Sequence, residues 1–480
     1  MTKSLYINGQ WSAGHGDKFT SINPSDGSEI WAGSAANEAD VEAAFEAARQ
    51  AFEGWSRTPL KDRMAIIARY KELALAAKEY MGELIARETG KQLWDAMGEG
   101  GALSAKVDIS LTAYGERTGE LKRETSFGHA ALQHRAHGVM AVLGPYNFPA
   151  HLPNGQILPA LIAGNTVVFK PSEQTPAVGE ALIKLYAEAG FPDGVINMVQ
   201  GARSTGATIL DNEKLDGVLF TGSANTGAII HKKFGGRPEV VLALEMGGNN
   251  PLIVWDVTDA EAAASIIAQS AFITSGQRCT CARRLIVPND AKGEAIIEAV
   301  ASFIDRMSLG GWNEEATMGP LISDEIAAHV VKNTEALGGK AIRACAVPDK
   351  GAAFVTPGFY DVTGIDVPDE EIFGPVLQVT RVADWDAAIN EANHTKFGLA
   401  AGLVSDDVGL WDDFRLRIRA GVVNFNRPTT GAASSLPFGG PGASGNHSPG
   451  AYYAADFCAW PMASQVAEAP EILPMKGLAK

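Results

Sequence analysis

Between Val139 and Gly227 the chain repeats one arrangement: a short apolar run that stops at Gly, Pro or Asn, followed by a stretch with helical spacing. VMAVLGPYNFP, NTVVFKPSEQTP, GVINMVQG and DGVLFTGS have this form, and PAVGEALIKLYAEAG reads as a connecting helix with Pro176 in its first turn. Runs that are apolar at nearly every position belong to strands buried on both faces, so the pattern predicts parallel strands joined by crossover helices. Ligands of such sheets bind at the carboxyl ends of the strands, which directs attention to the polar and glycine-rich loops that close each run.

The flanking regions extend this reading. About the first 30 residues read as short strands and turns, with turn chemistry at Asp26 and Gly27. From about Asn37 to Thr118 the spacing becomes helical, and ANEADVEAAFEAARQAFEGW opens with acidic residues suited to a helix N-terminus. A second α/β region runs from about Asn250 to Val423, with PLIVWDV, RRLIVP, PVLQVTRV and AGLVSDD as strands and acidic VPDEEIFGP in a loop. A chain of 480 residues exceeds one compact core, so two or three domains are expected. A formal charge of -16 argues against nucleic acid as a partner, because phosphate backbones select basic patches.

The opening MTKSLYINGQWSAG does not read as a secretory signal, and LPALIAGNTVVF, broken by Gly164 and Asn165, is too short to span a membrane. Four scattered cysteines make no disulfide framework and suit a reducing cytoplasm. Cys279 and Cys281 have no matching CxxC and no local His, so no metal site is expected.

Several loops carry groups able to do chemistry. FTGSANTG, Phe220 to Gly227, places glycines and a helix start after an apolar strand, which suits either a phosphate or a tight turn. KPSEQTP ends a strand in Lys170 and Glu173; these are a solvated strand end, or a donor and an acceptor for a ribose, where Glu173 would repel an extra phosphate. Glu245 in LEMGG, at a strand end, reads by itself as a helix cap or a surface charge. Asn147, between Pro145 and Pro149, is a turn former or an oxyanion donor. In SGQRCTCARR, Cys279 is either packed or a nucleophile beside Arg278, Arg283 and Arg284.

Taken in order, PYNFP, FKPSEQTP, FTGS, LEMGG, GQRC, EIFGP and PFGG resemble the NAD(P)-dependent aldehyde dehydrogenase superfamily, over nearly the whole chain from INGQW onward. The resemblance implies Cys279 as nucleophile, Glu245 as general base and Asn147 as oxyanion donor. It places Phe220, Gly222, Ser223, Ala224, Asn225, Thr226 and Gly227 on the cofactor loop, Lys170 and Glu173 at the adenosine ribose, and Glu371 and Phe373 at the nicotinamide ribose, with NAD as cofactor. Cys281 has no role in that pattern and is assigned to packing.

The segment NFNRPTTGAASSLPFGGPGASGNHSPGAYYAADFCAWPMAS is similar to the bacterial arginine-catabolic subgroup that acts on N-succinyl-L-glutamate 5-semialdehyde. Such a substrate carries several carboxylates, for which Arg278 and Arg427 are the expected partners and Lys106 and Arg117 weaker ones. Alternatives are a dehydrogenase of another aldehyde, a coenzyme A-acylating enzyme of the same fold, and a non-catalytic binding protein. Glu245 argues against acylation, which needs no hydrolytic base.

The implied architecture is α/β and aldehyde dehydrogenase-like. A discontinuous Rossmann-type cofactor domain would take residues 1–121 and 140–247, and an α/β catalytic domain residues 248–442. A small β oligomerisation element, residues 122–139 and 443–480, would support a homodimer or a dimer of dimers.

Overall fold

The apolar runs Val139–Leu143, Thr166–Lys170, Ile196–Met198 and Gly217–Gly222 are strands, joined by Val241–Met246 into a parallel array. Counted along the chain, these strands lie in the order fifth, fourth, first, second, third, the arrangement of a dinucleotide-binding half-fold. Two antiparallel strands from the N-terminus, Leu5–Ile7 and Gln10–Ser12, extend the sheet beyond Ile196–Met198. The computed structural model describes residues 3–351, 353–473 and 475–477. Residues 1, 2, 352, 474 and 478–480, which fall within the three segments delimited above, lie outside the described residues.

Helices pack both faces of this sheet and explain its uninterrupted burial. Helix Glu38–Arg57 is closed at its start by a reciprocal Asn37–Asp40 capping box, and three more helices, Leu60–Ala76, Lys78–Thr89 and Leu93–Arg117, follow. The tract that the sequence presents as one apolar run divides into helix His151–Ala163 and strand Thr166–Lys170. Gly164, at φ 100°, makes the left-handed turn between them.

A second sheet contains, in spatial order, Lys340–Arg343, Gly358–Asp361, Val376–Val382, Ala282–Pro288, Asn250–Val254, Ala400–Val404 and Val422–Phe425. Only its first strand is antiparallel. The strands Lys340–Arg343, Gly358–Asp361 and Val422–Phe425 go unnoticed in the sequence because each has only four residues, too few to show a period.

A third sheet, Ala459–Val466, Gly128–Ala136 and Leu121–Thr125, stands apart as an antiparallel ribbon. The chain returning toward it covers the outer edge of Val241–Met246. There Asn446 accepts from the Leu244 N–H at 2.9 Å and donates to the Leu242 carbonyl at 2.8 Å, taking the place of a missing strand. Among the described residues no helix is long and apolar enough to cross a membrane.

Candidate active site

The chain leaves the first sheet at Met246 and enters the second at Asn250, so the carboxyl edge of one meets the amino edge of the other. Loops after Val139–Leu143 and Gly217–Gly222 bring Asn147 and Ser223 to this junction, strand Val241–Met246 carries Glu245 there, and the segment preceding Ala282–Pro288 brings Cys279.

Cys279 follows a tightly determined turn. Thr274 and Ser275 both sit at φ 55°, a left-handed conformation that costs non-glycine residues about 1 kcal/mol or more each. Side-chain bonds hold it: Thr274 donates to Asp95 Oδ2 at 2.5 Å and Ser275 to the Gly319 carbonyl at 2.7 Å. Gly276 has φ 71°, and a side chain there would collide with the Gly374 carbonyl. Asn250 then donates from Nδ2 to the carbonyls of both Cys279 and Cys281 at 2.8 Å, while its Oδ1 accepts from Ala400 N–H. Asn250 and Asp95 are missed in the sequence, where neither stands in a recognisable motif.

All four cysteines are free; Cys281 is buried, while Cys279 is partly exposed. Burial pushes the Cys279 thiol well above its ordinary range; Glu371, Glu245 and Cys281 add to this and Arg283 opposes it. These effects favour the protonated thiol, and the acids responsible come from separate segments, Glu245 from strand Val241–Met246 and Glu371 from the loop before Val376–Val382.

Glu245 is buried, its Oε1 accepting from the Gly450 N–H at 2.7 Å and its Oε2 lacking a hydrogen-bond partner. Burial raises this carboxyl to about 8 against the opposing Gly450 bond. It borders a cavity of about 410 Å³ that also touches Gly439, Asn446 and His447, giving room for water. The buried Asn147 donates from Nδ2 to the Gln277 carbonyl at 2.9 Å, which places an amide donor next to the nucleophile segment. Its loop is braced from behind. Glu99 accepts from the N–H groups of Ala150 and His151 and pairs with Lys91 at 2.7 Å, and the Lys91 ammonium lies 3.6 Å from the Phe148 ring centre.

The carboxyl edge of the first sheet meets the requirements of a dinucleotide. Its switch point lies between Val139–Leu143 and Gly217–Gly222, the latter leading into helix Ala224–Phe234. Ser223 caps that helix by accepting from Thr226 N–H, and Ser223, Asn225 and Thr226 are exposed around its first turn. Ala224 and Gly222 are partly exposed there, while Phe220 and Gly227 are buried. Gly227 permits close packing, since a Cβ there would stand 2.6 Å from Met246 Sδ. Buried Lys170 donates to the carbonyls of Pro171 and Gly201 and lies 3.4 Å from Glu173, whose exposed carboxylate faces solvent. Across the junction, Glu371 accepts from Arg283 at 3.1 Å, and Phe373 meets Tyr146 edge-on at 6.1 Å.

The expected substrate cations divide. Arg278 does not present a free guanidinium: it donates to Asp95 at 2.6 Å and to Thr274 at 2.8 Å, so its charge is matched inside the protein. Arg117 is paired with Asp456 in the same way. Arg427 is exposed, on a loop fastened where Thr429 N–H donates to Ser270 near the end of the helix leading to the nucleophile turn. Lys106 is buried in helix Leu93–Arg117.

The model of the aldehyde dehydrogenase family matches residues 11–460. The chain belongs to the aldehyde dehydrogenase family. Among its relatives is the N-succinylglutamate 5-semialdehyde dehydrogenase of Caulobacter sp. (strain K31), 55% identical over 98% of this chain and 97% of the relative. The protein of the same name from Paraburkholderia xenovorans (strain LB400) is 51% identical over 96% of each chain. Solved aldehyde dehydrogenases superimpose closely. The Thermus 1-pyrroline-5-carboxylate dehydrogenase with bound NAD has a TM-score of 0.90 at 29% identity, covering 96% of this chain and 92% of its own. The NADP-dependent glyceraldehyde-3-phosphate dehydrogenase from Bacillus halodurans C-125, complexed with NADP, has a TM-score of 0.90 at 26% identity, covering 98% of this chain and 100% of its own.

Proposed function

We propose that this aldehyde dehydrogenase oxidises N-succinyl-L-glutamate 5-semialdehyde to N-succinyl-L-glutamate with NAD. The observation carrying this reading is the meeting of Cys279, Asn147 and Glu245 at the junction of the two sheets, in a chain 55% identical to a relative named for that substrate. The partly exposed Cys279 thiol gives its proton to solvent and attacks the aldehyde carbon as the thiolate, and the oxyanion of the tetrahedral adduct is held by the Asn147 amide and the Cys279 backbone N–H. When bound, the nicotinamide supplies the hydride acceptor. Glu245 takes a proton from water, whose attack on the Cys279 thioester releases the carboxylic acid and the thiol.

The cofactor would lie across the Gly222–Thr226 helix start, with Lys170 and Glu173 at one ribose and Glu371 and Phe373 at the other. Glu173 supports NAD over NADP because its carboxylate repels a second phosphate on that ribose. Arg427, exposed near the helix leading to Cys279, meets one substrate carboxylate, whereas Arg278 positions the nucleophile turn through Asp95. The discontinuous cofactor domain, the catalytic domain and the ribbon keep the boundaries given above. The protein acts in the cytoplasm as a homodimer or a dimer of dimers.

The test is steady-state oxidation of a panel of semialdehydes with NAD and with NADP, taking Cys279→Ala as the zero line. The N-succinyl compound with NAD should give the highest kcat/KM. Faster turnover of another aldehyde rejects the substrate assignment, and turnover by Cys279→Ala rejects the chemistry.

A further inference from the structure

Among the described residues, the buried and part-buried cations near the site have anionic partners, with one exception. Lys91 is paired with Glu99, Arg283 with Glu371 and Arg278 with Asp95. Lys106 is 2% exposed and has no ion pair or hydrogen bond among the described residues. Burial lowers its ammonium to about 8, with no carboxylate to offset the loss of water. A lone buried ammonium is costly, and it becomes favourable when an anion arrives to pair with it.

The surroundings suit such an anion. Lys106 points toward helix His151–Ala163, where Gly155 has no side chain: the Lys106 Cε lies 3.3 Å and the Nζ 4.0 Å from where a Cβ would stand. This is the helix that follows the Asn147 loop. Two further polar atoms of the same helix pair are buried without partners, Ser110 Oγ one turn after Lys106 and His151 Nδ1 one turn before Gly155. His151 is kept neutral, its ring lowered to about 4 by burial, with Glu99 opposing and Lys106 and Lys91 adding to the effect. Helix His151–Ala163 packs against the strand at Gly450, whose N–H holds Glu245, and both helices pack against Ala454–Phe457 just beyond it. An unmatched positive charge and two unpartnered polar atoms thus lie on the helix pair that follows the Asn147 loop and packs toward the Glu245 strand end.

We propose that Lys106 is the specificity-determining receptor for a carboxylate of the substrate, which enters beside Gly155 and is held by the ammonium and the Ser110 hydroxyl. This rests on the reading of the site as an aldehyde-oxidising centre, and it fixes the substrate class as aldehydes bearing a carboxylate. Arg427, on the exposed loop, is left for the second carboxylate of a dicarboxylic semialdehyde.

The test compares wild type, Lys106→Met, Lys106→Gln and Lys106→Arg as NAD holoenzymes. The substrates are N-succinyl-glutamate 5-semialdehyde, succinate semialdehyde and neutral aldehydes of matching length. Loss of one charge-assisted contact predicts that Lys106→Met and Lys106→Gln lose about 10- to 100-fold in kcat/KM on the carboxylate-bearing aldehydes, mainly through KM. The neutral aldehydes report folding and should be nearly unaffected, and Lys106→Arg should recover part of the loss. Equal loss on both kinds of aldehyde in both neutral variants, or no loss on either, overturns the proposal. Should the wild type prefer another carboxylate-bearing aldehyde while the variants still discriminate, the N-succinyl assignment fails and the role of Lys106 stands.

Discussion

Glu245 shows how one residue's surroundings set its chemistry. Its carboxyl is raised from 4.5 to about 8 because burial removes water and only the Gly450 N–H compensates. A general base acts in its ionised form, so kcat should climb as pH rises through about 8 wherever hydrolysis of the thioester limits turnover, as a pH–rate profile will show. Glu245→Gln should lower kcat by about 100-fold or more while sparing a first-turnover burst of NADH, because acylation of Cys279 does not need this base.

The same shift has a stability consequence. The folded carboxyl binds a proton more tightly than the unfolded one, so its contribution falls as pH rises from 4.5 to about 8. Thermal denaturation should therefore show Glu245→Gln gaining on the wild type across that window and showing no such gain below it. At this scale Glu245 and Asn147 stood out because each follows or closes an apolar run, and Cys279 because it follows the Gly276–Gln277 turn beside Arg278. Arg278 was misleading because its partner, Asp95, lies 183 residues earlier.

At the scale of elements, the nucleophile turn is held from outside itself. Two left-handed non-glycine residues would relax in an isolated peptide; here Asp95, Gly319, Gly374 and Asn250 over-determine them. Asn250→Ala would strand the carbonyls of Cys279 and Cys281 and the Ala400 N–H, at a cost of about 1–3 kcal/mol for a buried group left unpaired. The expected result is a lower unfolding midpoint together with a kcat that falls more than KM changes. A variant matching the wild type in both would remove the bracing role.

At the scale of the whole molecule, the three larger sheets manage their edges differently. The tail covers Val241–Met246 through Asn446, but Leu121–Thr125 is exposed along its full length as the outer strand of the ribbon. Leu121, Phe127 and Trp460 are exposed apolar side chains on the same ribbon. An open strand edge with apolar flanks calls for a cover, the part that the proposed homodimer assigns to a second copy of the chain. Light scattering should show that Leu121→Glu combined with Trp460→Glu shifts the protein toward monomer. An unchanged mass would place the subunit contact elsewhere.

The sequence alone determined the parallel α/β character, because strands buried on both faces need uninterrupted apolar runs and glycine or proline exits, and such runs are local. It also placed Asn147, Glu245 and the Gly222–Gly227 loop at strand ends, since the period of the pattern marks where each strand stops. Only the tertiary structure decided which cations are matched and which are left open. Arg278 meets Asp95, Lys91 meets Glu99, and Lys106 meets neither, although all four side chains on the Lys91–Lys106 stretch are close in sequence. A charge is neutralised by proximity in space, and proximity across distant segments leaves no period or motif in the order of the residues.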